Sequence, residues 1–305
     1  MILKSNHLLT LERYLNVNPS HYQECFGELS HSLRCPSGAS AALRFHYVRP
    51  DGDGEPKFKH LAEMLVAYIV DYCFGAQKAQ NPTSYSQAKL FMQARDLFRK
   101  HTHSGQAGEI LVYFLLESVI YATQVLHKMP ITTNPAEERK GGDGLHAKWN
   151  ATLQLLDVFF AESKLYTDFS SALRSLFESL EAFHSGSMRN HEYFLATHNM
   201  RLLDPAAQQG LTDFFTGKAG TNIRTNHACL IGFDWNEYNC LDNDGRPSFL
   251  TEFEQRYLAE AQHIRDRVEE KLSSSAFRHF RFEFFIVPFK SVAEFRTWFN
   301  EALTG

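Results

Sequence analysis

The segment Gly141–Tyr166, "GGDGLHAKWNATLQLLDVFFAESKLY", carries charged residues within a pattern that otherwise predicts two apolar strands. The pieces "GLHAKWN" and "LQLLDVFFAESKLY" predict a strand pair, and the link between them is short enough for a hairpin. Charges in an apolar strand cost free energy unless they are paired or bind a metal. The segment therefore predicts a hairpin and raises the question of what Asp143, Glu162 and Lys164 do.

The alternation of side chains along a strand places Glu162 and Lys164 on the same face of the second strand. Asp157 falls on the opposite face, and we interpret it as a solvated or paired acid. Asp143 comes just before the first strand, whose start lies beside the end of the second strand in a hairpin. We therefore expect Asp143 to lie near Glu162, although a shift of register would separate them.

Two carboxylates and a lysine in one cluster predict a divalent metal site. Neighbouring carboxylates disfavour each other's ionisation unless a cation bridges them. Mg²⁺, with Mn²⁺ as a substitute, accepts carboxylate oxygens and keeps waters for a phosphate substrate. Lys164 is suited to activate an attacking water or to offset phosphate charge. Glu109, which follows Gly108 at the start of a buried helix, is a further candidate ligand, directly or through a water.

Each of these residues also has a structural interpretation. A Glu–Lys pair on one strand face is commonly a rim ion pair of small energetic value. Glu109 is in the first turn of its helix, where an acid suits the helix dipole. A second Glu-x-Lys, formed by Glu138 and Lys140, falls in a predicted polar loop. We interpret these two residues as solvated charges, or at most as a contact to phosphate. The order of helix acid, Asp and strand Glu-x-Lys favours the functional interpretation.

Two further residues are candidates for contact with nucleic acid. His146 lies three residues after Asp143, where it would contact phosphate or orient Asp143; a hydrogen-bonded structural histidine is an equal alternative. Arg174 is expected near the same cluster. The net charge of −4 and the pI near 6.4 give no global basic field, so we expect weak intrinsic affinity for DNA.

The order Glu, Asp, Glu-x-Lys resembles the PD-(D/E)XK nuclease superfamily, whose members cut nucleic acid with Mg²⁺. More closely, the stretch over roughly residues 104–183 resembles the HamA family, the nuclease subunits of Hachiman antiphage defence. The pieces that carry this resemblance are "GEILVYFLLE", "GGDGLH", "AESKLY" and "ALRSLFESLEAF". Gly142 stands where the superfamily usually has a proline.

The resemblance implies a restriction-endonuclease-like α/β core, a mixed sheet flanked by helices. It also implies a catalytic set of Asp143, Glu162 and Lys164, with Glu109 in support. A HamB-like helicase partner would restrain the nuclease and release it on sensing DNA. The sequence contains no GxxxxGK[ST] motif, so any ATP-driven step is expected in another chain.

Strands that alternate with helices also indicate an α/β domain. The stretch "HTHSGQ" at His101–Gln106 predicts a boundary between an N-terminal α+β layer (1–103), our candidate for partner docking, and a nuclease domain (104–305). The patterns predict strands at Ala41–Val48, His227–Phe233 and Phe280–Phe289, and helices at Lys57–Phe74, Tyr85–Lys100, Gly108–Leu126, Asp168–Gly186, Leu250–Leu272 and Val292–Leu303.

Five scattered cysteines without a CxxC pair argue against a disulfide framework or a zinc ribbon. No apolar run is long enough to span a bilayer, and the N-terminus lacks a signal-peptide pattern. We therefore expect a cytoplasmic protein with no membrane association.

Two alternatives to a DNA endonuclease stay open at this point. In one, the nuclease-like core is a non-catalytic scaffold and the charged cluster contacts a partner. In the other, the chain is a relative that cuts RNA with the same site, a difference that no motif in the sequence decides.

Overall fold

The structure is a computed structural model that describes residues 8–29, 33–34, 40–75, 83–98, 105–127, 142–185, 188–200, 205–218, 223–239 and 249–305. Its strands are β1 (Phe26–Glu28), β2 (Leu33–Arg34), β3 (Ser40–Val48), β4 (Thr123–Leu126), β5 (Gly144–Asn150), β6 (Leu155–Tyr166), β7 (Ile223–Asp234) and β8 (Arg281–Phe289). Its α-helices are α1 (Pro19–Cys25), α2 (Phe58–Ala67), α3 (Ile69–Phe74), α4 (Ser84–Leu97), α5 (Gln106–Leu115), α6 (Phe169–Ser185), α7 (Met188–Asn199), α8 (Pro205–Phe215), α9 (Phe249–Ser274) and α10 (Val292–Thr304).

The strands form one mixed sheet in the spatial order β1-β3-β8-β7-β6-β5-β4, and β2 also pairs with β3. Strands β3, β8, β7 and β6 run parallel to their neighbours in that series, whereas β4, β5 and β6 are joined antiparallel. Helices α6 to α8 connect β6 to β7, and α9 connects β7 to β8. This confirms the predicted mixed α/β sheet flanked by helices, which is compatible with a restriction-endonuclease-like core.

The central strands are apolar along most of their length because helices cover both faces of the sheet. On one face, Tyr257 of α9 packs against Phe45 of β3 at a ring distance of 5.8 Å. On the other face, Tyr113 of α5 packs against His146 of β5 at 6.0 Å. In the described part of the chain, none of the helices combines the length and the apolar character needed to cross a membrane.

The N-terminal segment contributes directly to this sheet. Strand β3 pairs in parallel with β8, from Ser40 opposite Arg281 to Phe45 opposite Ile286. Residues before and after position 103 therefore share one sheet, where the sequence pattern had indicated separate layers. The predicted boundary, between residues 103 and 104, lies outside the described residues and stays a prediction.

The predicted helix Gly108–Leu126 is wrong in its second half. Helix α5 continues into a π-helical turn at Leu116–Ile120, and the chain then enters strand β4. Tyr121 ends the turn in the left-handed conformation, with φ of 58°. A run that is buried on all sides has no amphipathic period, so its sequence did not distinguish helix from strand. The predicted helix Lys57–Phe74 is likewise two helices, α2 and α3, divided at Tyr68.

Asp157 is a paired acid and joins three strands. It is 4% exposed, and its carboxylate accepts two bonds from the Arg224 guanidinium, at 2.5 and 2.7 Å. The side-chain amides of Asn226 and Asn150 donate to it at 3.0 and 3.2 Å. Burial acts to raise the pKa of Asp157, but these bonds outweigh burial and lower the pKa below its ordinary value of 3.8. Of the two interpretations of this acid, the paired one is confirmed.

We predict that Asp157→Asn lowers the free energy of unfolding at pH 7 by about 1.5–3 kcal/mol, because the charge-assisted bonds to Arg224 are lost. A carboxyl group with a lowered folded-state pKa stabilises the fold above its unfolded-state pKa and loses that contribution as the pH falls through the folded-state value. The gap between wild type and variant should therefore shrink as the pH falls below about 4 in urea denaturation.

Asp266→Asn is the matched control, since Asp266 is 62% exposed and, among the described residues, pairs with its neighbour Arg265. It should change the unfolding free energy by less than about 0.5 kcal/mol at every pH. Equal losses for the two variants, or a gap for Asp157→Asn that does not depend on pH, would contradict the structural role.

Candidate active site

The register of the β5–β6 hairpin brings the start of β5 beside the end of β6. Gly144 lies opposite Ala161, and the Asp143 amide donates to the Ala161 carbonyl at 2.8 Å, one residue beyond β5. Asp143 therefore occupies the position across from Glu162. A Cβ atom on Gly142 would lie 3.0 Å from the Ala161 carbonyl oxygen, so glycine eases the close approach of the two chains where the superfamily usually has proline.

Asp143 is held by the residue between Glu162 and Lys164. Its Oδ2 accepts from the Ser163 amide at 2.6 Å and from the Ser163 hydroxyl at 2.5 Å. Burial raises the pKa of Asp143 well above its ordinary value, and the charges of Glu162 and Glu109 raise it further; the Ser163 bond and Lys164 act in the opposite direction. Three acids thus interact within one small region, which favours a cation there.

Glu162 and Lys164 share one face of β6 and form an ion pair, with 2.7 Å between Nζ and Oε1. Their side chains are 16% and 19% exposed, so the pair is largely shielded from water. Burial alone would lower the pKa of Lys164, but Glu162 and then Asp143 outweigh burial and raise it. Lys164 is therefore a charged group at neutral pH. This contact is compatible both with a structural ion pair and with a catalytic role for Lys164.

Glu109 reaches the cluster because α5 packs very closely against β6. A Cβ atom on Gly108 would lie 2.8 Å from the Ser163 hydroxyl oxygen and 3.2 Å from its Cβ atom. Only glycine permits this approach without a shift. The next residue, Glu109, accepts a hydrogen bond from the Tyr72 hydroxyl at 3.2 Å, and its charge acts on Asp143. Sequence reasoning missed Gly108, Ser163 and Tyr72, because their roles depend on contacts between distant segments.

His146 does not join this cluster. It is 1% exposed and, opposite Phe159 in the hairpin, lies on the face that packs against α5. Burial lowers the pKa of its imidazole to about 3, and neither ring nitrogen has a hydrogen-bond partner among the described residues. The expected contact with phosphate is corrected accordingly, because the ring has no surface to offer a nucleic acid.

Arg174 and the second Glu-x-Lys pair are the remaining sequence candidates. Arg174 is exposed on α6, and its charge acts on Asp168 at the start of that helix. Its contact with nucleic acid stays a prediction. The second Glu-x-Lys, at Glu138 and Lys140, lies outside the described residues.

The donor chemistry of the cluster fits a magnesium ion. Among the residues that the structure describes, no group of three or more His, Cys, Asp or Glu side chains is arranged to hold a metal. Mg²⁺ is usually bound by only one or two carboxylates and keeps several waters. Asp143, whose ionisation is disfavoured by two neighbouring acids, together with Glu162 meets that smaller requirement.

We predict that Gly108→Ala destabilises the protein by about 1–3 kcal/mol, because the added methyl group overpacks the contact between α5 and Ser163. Gly105→Ala, at the start of the same helix, is the matched control, since its Cβ atom would meet only the Glu109 carboxylate at 3.9 Å. Thermal unfolding followed by circular dichroism measures both. A Gly108→Ala variant as stable as wild type would contradict the inferred contact.

A family model described as HamA matches residues 23–303 of the 305. The match includes α5, the β5–β6 hairpin and α6, which carry the candidate site, and extends through β3 and β8 on the other side of the sheet. A search of curated proteins found no match to the chain. Because the family model covers nearly the whole sequence, the chain belongs to the HamA family, a component of Hachiman antiphage defence.

Proposed function

We propose that this protein is the Mg²⁺-dependent DNA endonuclease effector of a Hachiman-type defence system. The observation that carries the proposal is the position of Asp143, bonded through Oδ2 to Ser163 and under the charges of Glu162, Glu109 and Lys164. An acid with a strongly raised pKa beside other charged groups, such as Asp143, is a candidate for a functional site. Membership of the HamA family supports the biological context.

Asp143 and Glu162 would hold the metal, with Glu109 in support. Both bonds from Ser163 reach Oδ2 of Asp143, which fixes the carboxylate and makes Oδ1 the oxygen available to a ligand. One carboxylate oxygen of Glu162 would turn away from Lys164 and toward the same metal ion. When bound, Mg²⁺ supplies Lewis-acid stabilisation of the charge that develops on a phosphodiester.

Lys164 would act as a charged donor and not as a general base. Its raised pKa keeps a proton on the ammonium at neutral pH, so it has no free lone pair to accept the proton of an attacking water. An ammonium group at this position can orient the water or offset the negative charge on a phosphate oxygen. The Glu162 carboxylate holds it within reach of the Asp143 side of the cluster.

A helicase subunit would restrain this nuclease and deliver its DNA. The chain has no motif for binding ATP phosphates and a net charge of −4, which favours a partner for both energy input and substrate capture. We propose a HamB-like helicase in this role. The N-terminal segment, within 1–103, remains our candidate for the docking region.

A non-catalytic scaffold is the second candidate function. It is favoured by the closed Lys164–Glu162 ion pair and by the lack of a preassembled three-ligand cluster among the described residues. Metal binding and cleavage separate the two functions. An RNA-cutting enzyme would use the same residues, so the substrate has to be tested directly.

We predict that Asp143→Asn and Glu162→Gln each lower Mg²⁺-dependent cleavage by about 100-fold or more, because both substitutions keep the shape of the side chain and remove its charge. Supercoiled DNA, linear DNA and RNA are tested in parallel with the purified chain, and phage protection is tested in cells that carry the complete system. Glu178→Gln, at an exposed acid on α6, is the control and should cleave like wild type.

Full cleavage by both variants would refute the assignment of the site. Cleavage of RNA alone that requires Asp143 would keep the site and change the substrate. The folded state of each variant is checked by its thermal unfolding, so that loss of activity is not confused with loss of structure.

We further predict that calorimetry detects binding of Mg²⁺ or Mn²⁺ by the wild-type chain, and that Asp143→Asn weakens this binding about tenfold or more. The Glu178→Gln control should bind the ion like wild type. Metal binding that does not depend on Asp143, or no binding at all, would favour the scaffold.

A further inference from the structure

A cavity of about 350 Å³ lies at the C-terminal end of α6, beside the start of α7 and the turn before β8. Its wall includes Phe183 and His184 from the end of α6, and Phe277 and Phe280 from that turn. The volume is within the range of small-molecule sites in proteins. The candidate active site does not include any of these residues.

The aromatic rings of this wall are stacked. The His184 ring lies 4.4 Å from Phe280 at an interplanar angle of 20°, and 5.2 Å from Phe277 at 15°. The His279 ring lies 4.2 Å from Phe280. Because these rings cover one another's faces, a planar heteroaromatic ligand would extend the stack at its exposed end, as nucleobases do on aromatic side chains.

Side chains that can donate hydrogen bonds to an anion line the same cavity. Arg189, in the first turn of α7, and His279 both line it and are exposed. Burial first, and then His279 and Arg189, lower the pKa of His184 to about 4, which places both groups close to the stack. No acidic side chain is among the described residues that line the cavity. The start of α7 adds the positive end of a helix dipole, so an anion is favoured here.

We propose that this cavity binds a nucleoside 5′-monophosphate group, either as a free nucleotide or as the unpaired terminal nucleotide of a DNA strand. The base extends the stack at its more exposed end, beside Phe280. The phosphate lies at Arg189 and His279. The combination of an aromatic wall, an arginine and a histidine, with no carboxylate among the described lining residues, distinguishes this ligand from a plain hydrophobic molecule or a lone anion.

The cavity also touches the strand that carries the candidate active site. Phe183 packs against Phe160 of β6 with 4.6 Å between ring centroids, and Phe160 lies two residues before Glu162 on the same face. His184 shares a hydrogen bond of 3.0 Å with His227 at the start of β7. A nucleotide in the cavity is therefore separate from Asp143 and Glu162 but adjacent to their scaffold. The proposal does not depend on nuclease activity.

The test is calorimetric titration of the full-length chain with 5′-dAMP, in a buffer with EDTA so that no metal at Asp143 contributes. We expect saturable binding of 5′-dAMP, and at least about tenfold weaker binding of deoxyribose 5-phosphate and of inorganic phosphate, because neither can stack. Glu162→Gln should bind 5′-dAMP like wild type, which separates this site from the proposed nuclease site.

Arg189→Ala should weaken binding of 5′-dAMP at least about tenfold, through loss of the charge at the phosphate. Arg278→Ala is the matched control: it removes an arginine from the same turn as His279 that is outside the cavity wall and bonds the Ser273 carbonyl. It should bind like wild type. Arg189 is exposed, so its replacement is not expected to unfold the chain; His279→Ala, also at an exposed site, provides a second variant with the same expected result.

A hairpin DNA with a 5′-phosphorylated three-nucleotide overhang, compared with the same hairpin with a blunt end, distinguishes the two sources of the ligand. Tighter binding of the overhang than of 5′-dAMP, weakened by Arg189→Ala, assigns a strand end. Binding of 5′-dAMP alone assigns a free nucleotide. The proposal is overturned if neither probe binds, if Arg189→Ala binds as tightly as Arg278→Ala, or if inorganic phosphate binds as tightly as 5′-dAMP.

Discussion

The pairing of Gly144 with Ala161 is the constraint on which the candidate site depends. With this register, the Asp143 amide meets the Ala161 carbonyl, and the Asp143 carboxylate meets both the amide and the hydroxyl of Ser163. A slip of one residue would turn every side chain of the strand to the other face of the sheet. Glu162 and Lys164 would then point to the face of the sheet that α5 covers. The buried faces of the hairpin prevent such a slip, so the packing of the core also fixes the geometry of the charged cluster.

Two aspartates in the same hairpin show how differently a protein can treat a buried acid. Asp157 has a guanidinium and two amides as donors, and its pKa is lowered. Asp143 has one serine and two neighbouring acids, and its pKa is raised. The first arrangement stabilises the fold as it stands. The second leaves negative charge less fully compensated, which supports the proposed metal site.

Much of the fold followed from the sequence, and the failures had identifiable causes. The hairpin, α6, α9 and β8 have clear periodicity, and the structure contains all of them. The stretch Gly108–Leu126 is apolar on every side, so its change from α5 to β4 left no trace in the pattern. Within the site, alternation along β6 was sufficient to place Glu162 beside Lys164. Gly108, Ser163 and Tyr72 could not be found in this way, because each acts on a residue 20 or more positions away.

The sequence by itself determined much of the local structure: the β5–β6 hairpin, strands β3, β7 and β8, the shared face of Glu162 and Lys164, and an order of acids that resembles a nuclease. It did so because strand and helix periods are set by the backbone and repeat over a few residues. Tertiary structure alone decided that β3 joins the same sheet as β6, that His146 is buried away from the cluster, and that rings from α6 and the turn before β8 form one cavity. These results depend on packing between distant segments, where the free energy comes from burial of surfaces that no local pattern specifies.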